Sequence, residues 1–326
     1  MSVHPLWDDY PSLQKELDAI ALLIEENITI KNPEVQEKIK KLLFSGGKFL
    51  RPAYSILFSN FSSSRDAKKA QAVAAALEVL HMATLVHDDV IDESNTRRGQ
   101  ETLNSSYNNR VAIYTGDYLF TVCFRLLQKY AQEASVLQLD IKGIENILIG
   151  ELDQMSRRYN TKMRMRDYLN QIKGKTAQLF ALSCYSGAYQ TEDSEKFAQQ
   201  AFQIGDHIGM AFQIIDDTLD YSTDETKIGK PALQDLRNGI YTAPLLFALQ
   251  TNRSELEPFL LKKEKITDEE AATVLQIVVA SGGLKKAQDL ALKYTKKALQ
   301  KIEKLPENPN KKILSRITEQ IINRDY

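Results

Sequence analysis

Apolar residues recur every three to four positions along almost the whole chain, and that single period decides the fold class. It predicts helices over Leu13–Glu26, Pro33–Phe44, Ala67–Val90, Gly116–Tyr130, Ile141–Arg157, Met165–Tyr185, Asp193–Tyr221, Ala243–Gln250, Asp268–Ala280 and Leu284–Ile302. A repeat of this period turns one face of each segment toward a core and the other toward water. The 326 residues include only 14 glycines and 9 prolines, too few to punctuate a chain of short strands, and no alternating run bounded by hairpin signals occurs. Breaks are short: Ser45-Gly46-Gly47, Ser62–Ser64, Ser281-Gly282-Gly283 and Pro306 to Pro309. No shift of composition and no linker divides the chain, which predicts one all-α domain over 1–326.

Composition narrows the function classes. Hydrophobic residues at 43% supply a sizeable core, and a net charge of −1 gives no bulk field to recruit nucleic acid or an anionic membrane. Any anion binding has to come from local basic clusters. Cys123 and Cys184 both fall in apolar helical segments, which predicts buried free thiols in a reducing compartment. The two cysteines and four histidines have no zinc spacing. The N-terminal stretch lacks a basic start followed by an apolar core. The longest apolar run, Ala72 to Val86, contains Glu78 and His81 and is too short to span a bilayer. The expectation is a cytoplasmic protein with no transmembrane segment and no nucleic-acid partner.

Two acidic clusters stand out on this background: Asp88-Asp89-Val90-Ile91-Asp92 and Asp216-Asp217-Thr218-Leu219-Asp220. Each ends an apolar helix. Residues four apart lie on nearly one side, so Asp88 with Asp92, and Asp216 with Asp220, can reach one site. Carboxylates gathered there repel one another and oppose the dipole at a helix C-terminus. One such motif is usually a solvated acidic face; two at helix ends call for compensation. A hard divalent cation such as Mg²⁺, shared with phosphate oxygens, supplies it. The pair implies metals that clamp a diphosphate from two sides.

Cationic partners sit at informative places. In Gly46-Gly47-Lys48-Phe49-Leu50-Arg51-Pro52 the glycines permit an unusual backbone, and Lys48 and Arg51 can face one ligand. Arg97-Arg98-Gly99 begins five residues beyond Asp92, close enough for a forked anion clamp. Lys175-Thr176 interrupts a helix that otherwise gives Ala177, Leu179, Phe180 and Leu182 to a core, so Lys175 either snorkels or reaches the site. Gln213 lies three residues before Asp216 and His81 seven before Asp88, each on the same helical side as its motif. A lone histidine there also reads as a core residue. The stretch Ser222 to Gly239, with Lys227, Gly229, Lys230, Pro231, Asp235 and Arg237, reads either as a charged lid or as an ordinary connection.

Together these segments resemble the trans-polyprenyl diphosphate synthases, the head-to-tail isoprenyl chain elongators. The likeness is carried by GGKFLRP, LVHDDVIDESNTRRG (85–99), GDYLF (116–120), GELDQ (150–154), KGKTAQLF (173–180) and FQIIDDTLDYSTDETKIGKPALQDLRNG (212–239), in that order. It implies antiparallel helices around a deep central cavity, in a homodimer or heterodimer. It also implies roles. Asp88 and Asp92 would coordinate two Mg²⁺ on an allylic diphosphate, supported by Asp89. Asp216 would hold a third, backed by Asp217 and Asp220. Lys175, Lys230 and Arg97 would contact the allylic diphosphate. Lys48, Arg51, His81 and Arg98 would seat isopentenyl diphosphate, and Thr176 and Gln213 would line the reacting carbons. One departure is Ile240, where many relatives carry a lysine diphosphate contact.

Product length is read from the face of the helix that precedes the first motif. Ala83 lies roughly 7.5 Å before Asp88 at about 1.5 Å per residue. Short-chain relatives tend to place an aromatic there or beside it; this chain has Ala83 and Thr84, then Leu80, Val79 and Ala76. That predicts an open tunnel and a hexaprenyl to octaprenyl product. HMATLVHDDVID, YTGDYLF and Arg324-Asp325-Tyr326 look most like the catalytic component of bacterial hexaprenyl or heptaprenyl synthases, which supply the menaquinone side chain. Some of those need a small non-catalytic subunit. The alternatives are a farnesyl or geranylgeranyl synthase, a non-catalytic subunit, and a terpene cyclase. A non-catalytic subunit would be expected to lose its aspartates or Arg pair, and a cyclase typically lacks the GGKxxRP segment.

Overall fold

In the computed structural model, which describes residues 4–44, 47–130, 134–189, 194–221 and 233–323 (backbone only at 130, 134–141, 153, 154, 156, 322 and 323), the apolar period becomes a stack of helices. They are α1 Pro11–Asn27, α2 Pro33–Phe44, α3 Leu50–Ser59, α4 Ala67–Ile91, α5 Leu103–Ser106, α6 Asn109–Tyr130, α7 Ala134–Ser156 and α8 Met165–Ile172. There follow α9 Gln178–Ala188, α10 Glu195–Leu219, α11 Gln234–Arg237, α12 Ala243–Ala248, α13 Arg253–Leu260, α14 Asp268–Ala280, α15 Gly283–Glu303 and α16 Pro309–Asn323. The fold is all-α.

The two long helices that end in the acidic motifs organise the packing. Asp66 starts α4 by accepting the Lys68 and Lys69 N–H groups at 2.9 and 3.1 Å, satisfying two otherwise unpaired donors. From Ala72 to Leu80 every α4 residue is buried, because α1, α3, α6 and α9 surround it. By length and composition α4 is sufficient to cross a membrane, longer than the apolar run read from sequence. However, 72% of its apolar window is buried inside the fold. α10 packs against α9 and α15 and joins two apolar clusters: Ile204 and Ile208 belong to one, Met210 and Ile214 to the other. Its acidic end, flanked by Ile214 and Tyr221, therefore lies beside the second cluster.

Several features differ from the sequence reading, among them the short helices α5, α11 and α13, which lie outside every predicted segment. α3 and α16 were not expected, since prolines mark the start of both. Pro52 and Pro309, however, fall in the first turn, where a missing N–H costs nothing. A buried hydrogen bond between Tyr54 Oη and Thr318 Oγ1 (3.0 Å) ties these two helices together. Next, the helix expected over Met165–Tyr185 contains one π-helical turn, Lys173–Ala177, between α8 and α9. Finally, a two-residue antiparallel ladder pairs β1 (Thr96–Arg97) with β2 (Gln100–Glu101). Arg98 (φ 51°) and Gly99 (φ 74°) close it, the two left-handed residues that a tight primed turn requires. Lys227, Gly229, Lys230 and Pro231 of the suggested lid lie outside the described residues, whereas Asp235 and Arg237 lie in α11. Both cysteines are buried free thiols.

Candidate active site

The first acidic motif is neutralised by cations from three other segments. Lys175 Nζ lies 3.7 Å from Asp88 and donates to Glu151 at 2.9 Å. Arg158 Nη2 donates to Asp92 at 2.8 Å. Arg97 turns its fork on the buried Asp89, with Nη2 at 2.6 Å and Nε at 2.7 Å from Oδ1. Burial, then the neighbouring Asp92 and Asp89, push the Asp88 carboxyl above its ordinary range despite Lys175. Burial works against charge on Lys175 as well, but Asp88 and Glu151 outweigh it and raise its pKa. These hard oxygens, held at the cost of self-repulsion, suit a hard divalent cation. Mg²⁺ usually takes only one or two carboxylates and completes its shell with water and phosphate oxygens. Glu151, in the GELDQ segment, and Arg158, just past the expected helix, were not singled out from sequence.

The second motif is positioned by close helix packing. Gly205, Gly209, Gln213 and Asp217 recur every four residues and form one ridge of α10. A Cβ on Gly205 would meet the Phe180 carbonyl oxygen at 2.5 Å, and one on Gly209 would meet Ala177 Cα at 2.5 Å. The absence of side chains lets α10 touch the π turn, and the next ridge residues then carry function. Thr176 Oγ1 donates to Gln213 Oε1 at 2.6 Å, Gln213 Nε2 donates to Asp217 Oδ1 at 2.8 Å, and Tyr168 Oη donates to Asp217 Oδ2 at 2.5 Å. Burial pushes the Asp217 carboxyl up to about 7, against the lowering effect of those two hydrogen bonds. π turns insert one residue and often mark functional sites. Asp216 remains exposed at the end of the ridge. Asp220 turns back instead, accepting the Gln234 and Asp235 N–H groups at 3.0 and 3.1 Å to cap α11.

Arg51, Arg98 and His81 gather in a separate, largely buried cluster. Trp7 Nε1 donates to the Lys48 carbonyl at 2.8 Å and pins that strand of chain. A Cβ on Gly47 would collide with Arg98 Nη1 at 2.8 Å, so the glycine makes room for the guanidinium. The Arg51 guanidinium stacks on Phe180 at 4.6 Å, and its buried Nε has no hydrogen-bond partner. Burial, together with Arg98 and against the pull of buried Glu78, brings Arg51 down to about 10. Burial, then Arg51, Arg98 and Arg97, hold His81 well below its ordinary pKa, so it stays a neutral imidazole. Arg51, Arg98 and Arg97 around a neutral histidine, with an orphaned buried donor on Arg51, suit an anionic ligand.

Behind the first motif, Ala76, Val79, Leu80 and Ala83 are fully buried, while Thr84 is half-buried and donates Oγ1 to the His81 carbonyl at 2.8 Å. The structure adds an aromatic that α4 alone did not reveal. Phe120 of α6 stacks on His87 at 5.7 Å, and the His87 ring lies 3.0 Å from the Ala83 carbonyl. Lys230 lies outside the described residues.

Acidic motifs at the ends of closely packed helices, with clustered arginines beside the first, have the chemistry of an enzyme that handles diphosphate esters. Comparison with known proteins narrows the class. The polyprenyl synthetase family model matches residues 32–278. Heptaprenyl diphosphate synthase component 2 of Bacillus subtilis is 33% identical over 317 residues, 97% of this chain and 90% of that one. Its counterpart from Geobacillus stearothermophilus is 35% identical over 319 residues, 97% and 98% of the two chains. Among solved structures, a geranylgeranyl pyrophosphate synthase from Lactobacillus brevis superposes with TM-score 0.93 at 40% identity, covering 98% of this chain and 99% of that one. A heptaprenyl diphosphate synthase from Staphylococcus aureus gives 0.88 at 34%, covering 96% and 99%. The chain belongs to the polyprenyl synthetase family.

Proposed function

We propose that this chain is a medium- to long-chain all-trans polyprenyl diphosphate synthase of the hexaprenyl to octaprenyl class, folded as one domain. It would extend an allylic diphosphate such as farnesyl diphosphate with successive isopentenyl diphosphates, for a menaquinone side chain. The observation that carries the length is the wall behind Asp88: Ala83, Leu80, Val79 and Ala76 offer no aromatic floor on α4. The likeness to two heptaprenyl synthase components supports it.

Asp88, Asp92 and Asp216 would hold three Mg²⁺, which supply Lewis-acid stabilisation of the departing diphosphate. Asp89 keeps Arg97 in place beside them. Lys175 and Lys230, with Arg97, bind and orient the allylic diphosphate as its negative charge grows. Lys48, Arg51, His81 and Arg98 hold isopentenyl diphosphate, with its double bond toward the allylic carbon. The Thr176 hydroxyl and Gln213 amide, locked by Asp217 and Tyr168, line the reacting carbons, and the apolar wall excludes water from the allylic cation. The departing diphosphate takes the proton lost after condensation.

Exposed apolar side chains support a subunit partner. α6 leaves Ile113, Tyr114 and Phe124 exposed, and α7 leaves Leu148, Ile149, Leu152 and Met155 exposed at helical spacing. The partner is a second copy or a small non-catalytic subunit, and activity of the purified chain alone separates the two.

A second reading, a geranylgeranyl synthase, is favoured by Phe120 beside α4 and by the 40% identity to the Lactobacillus brevis enzyme. The deciding experiment is incubation with farnesyl diphosphate, isopentenyl diphosphate and Mg²⁺, followed by chromatography of the dephosphorylated products. Linear hexaprenyl to octaprenyl alcohols support the proposal. Geranylgeraniol supports the second reading, and a cyclic hydrocarbon overturns both.

A further inference from the structure

Arg158 grips the first acidic motif, and Tyr159, next to it in sequence, grips the turn after α11. Arg158 Nη2 donates to Asp92 Oδ1 at 2.8 Å, while its Nε is buried without a partner. Tyr159 has φ 57°, a left-handed backbone that bulky residues seldom adopt unless their surroundings enforce it. The enforcement is visible. Its N–H donates to the Gly239 carbonyl at 2.8 Å, and its hydroxyl donates to the Arg237 carbonyl at 2.7 Å. Its ring covers Gly239 so closely that a Cβ there would fall 2.7 Å from Tyr159 Cδ1. Gly239 itself has φ +74°, so both partners of this clasp hold unusual conformations.

The clasped turn is in turn fastened to the second motif. The Asp220 carboxylate accepts the Gln234 and Asp235 N–H groups, the Asp220 carbonyl accepts Leu233 N–H at 3.0 Å, and Ile240 N–H closes on the Asp235 carbonyl at 2.8 Å. A continuous chain of bonds thus runs from Asp92 through Arg158, Tyr159, Gly239 and α11 to Asp220. Thr161, two residues beyond Tyr159, is also held, its carbonyl accepting from Arg253 Nη1 at 3.1 Å.

We propose that the Arg158–Tyr159 pair is a positioning strap: it sets the spacing of the two acidic motifs, and its guanidinium occupies Asp92 until a divalent cation displaces it. This rests on the reading of Asp92 as a metal ligand. The consequence has a definite sign. Arg158 competes with the cation for one carboxylate, so its removal strengthens metal binding even as it loosens the metal-free protein. The pair is about one-third exposed, with side chains 32% and 31% accessible, so its competitive effect is modest. It corresponds to roughly two- to fivefold in affinity, the upper end of what partly exposed ion pairs contribute.

The test is a titration of the full-length protein with Mn²⁺ alone, free ion being followed by electron paramagnetic resonance. Wild type, Arg158→Gln and Arg158→Lys are compared, with hydrogen exchange of the 233–240 peptide measured on the same metal-free samples. The strap predicts two- to fivefold tighter Mn²⁺ binding in Arg158→Gln, near-wild-type binding in Arg158→Lys, and faster exchange in the glutamine variant only. Arg158→Lys also guards against a simple folding defect in the glutamine variant. Unchanged or weaker Mn²⁺ binding in Arg158→Gln, or unchanged exchange, overturns the strap. A wild-type protein that binds no Mn²⁺ instead removes the metal reading on which it rests.

Discussion

Replacing Gly209 with alanine tests whether the catalytic side chains depend on the contact between α10 and the π turn. The new Cβ would sit 2.5 Å from Ala177 Cα, 3.0 Å from Ala177 Cβ and 3.2 Å from Phe180 Cβ. Carbon atoms settle at about 3.5–4.0 Å, so α10 has to retreat by roughly 1 Å. The Thr176–Gln213 hydrogen bond, now 2.6 Å, cannot survive that retreat, because a separation near ~3.6 Å is no longer a hydrogen bond. Overpacking costs about 1–3 kcal/mol and the lost hydrogen bond about 1 kcal/mol more. Alanine returns about 1 kcal/mol of helix propensity. The net expectation is about 1–3 kcal/mol of destabilisation. A displacement of ~1 Å at reacting groups costs on the order of 100-fold in turnover. Urea unfolding measures the first effect, and steady-state kcat with farnesyl and isopentenyl diphosphates the second. A variant as stable as wild type with unchanged kcat would refute the reasoning, since propensity alone would then govern the position.

Three further outcomes are expected. Ala83→Phe shortens the product by at least one isoprene unit, read by chromatography of the dephosphorylated alcohols; an unchanged distribution removes Ala83 from the tunnel wall. Arg98→Ala raises the KM for isopentenyl diphosphate by about 10- to 100-fold, the worth of a charge-assisted hydrogen bond, with a smaller change in kcat at saturation. Equal loss of kcat with unchanged KM places Arg98 elsewhere. Asp217 gives a pH dependence of stability. Its folded pKa of about 7 exceeds the unfolded value near ~3.9, so the folded state binds the proton more tightly. The stabilisation is complete below the unfolded value and is lost as pH rises through about 7. In metal-free protein with chelator, the urea midpoint of wild type should fall between pH 5 and 8 more steeply than that of Asp217→Asn. Parallel profiles contradict it.

Much of this was legible in the sequence because it depends on local spacing. The helical period gave the fold class, and the acidic spacing placed Asp88 beside Asp92. The basic segments flagged Arg51 and Arg98, which lie together beside His81, and Lys175, which lies beside Asp88. What escaped depends on neighbours distant in the chain. Gly205 and Gly209 look like weak points in a helix until Ala177 and Phe180 are seen against them. Phe120 reaches α4 from α6 by stacking on His87, invisible to a reading confined to α4. Tyr168 seems an ordinary amphipathic-helix residue until it meets Asp217. The bonds from the Asp220 carboxylate to the Gln234 and Asp235 N–H groups, fourteen and fifteen residues on, were likewise out of reach of the sequence. Proline sits in the first turn of two of the missed helices, α3 and α16, since the same residue breaks a helix interior and favours its first turn.

The central claim is that the two acidic motifs act together on one diphosphate. Anomalous scattering from Mn²⁺ in crystals grown with a non-reactive thio-analogue of farnesyl diphosphate tests it most directly. The account predicts two metal peaks shared by Asp88 and Asp92, a third on Asp216, and the diphosphate bridging all three. A diphosphate bound away from these carboxylates, or metal on one motif alone, would contradict it.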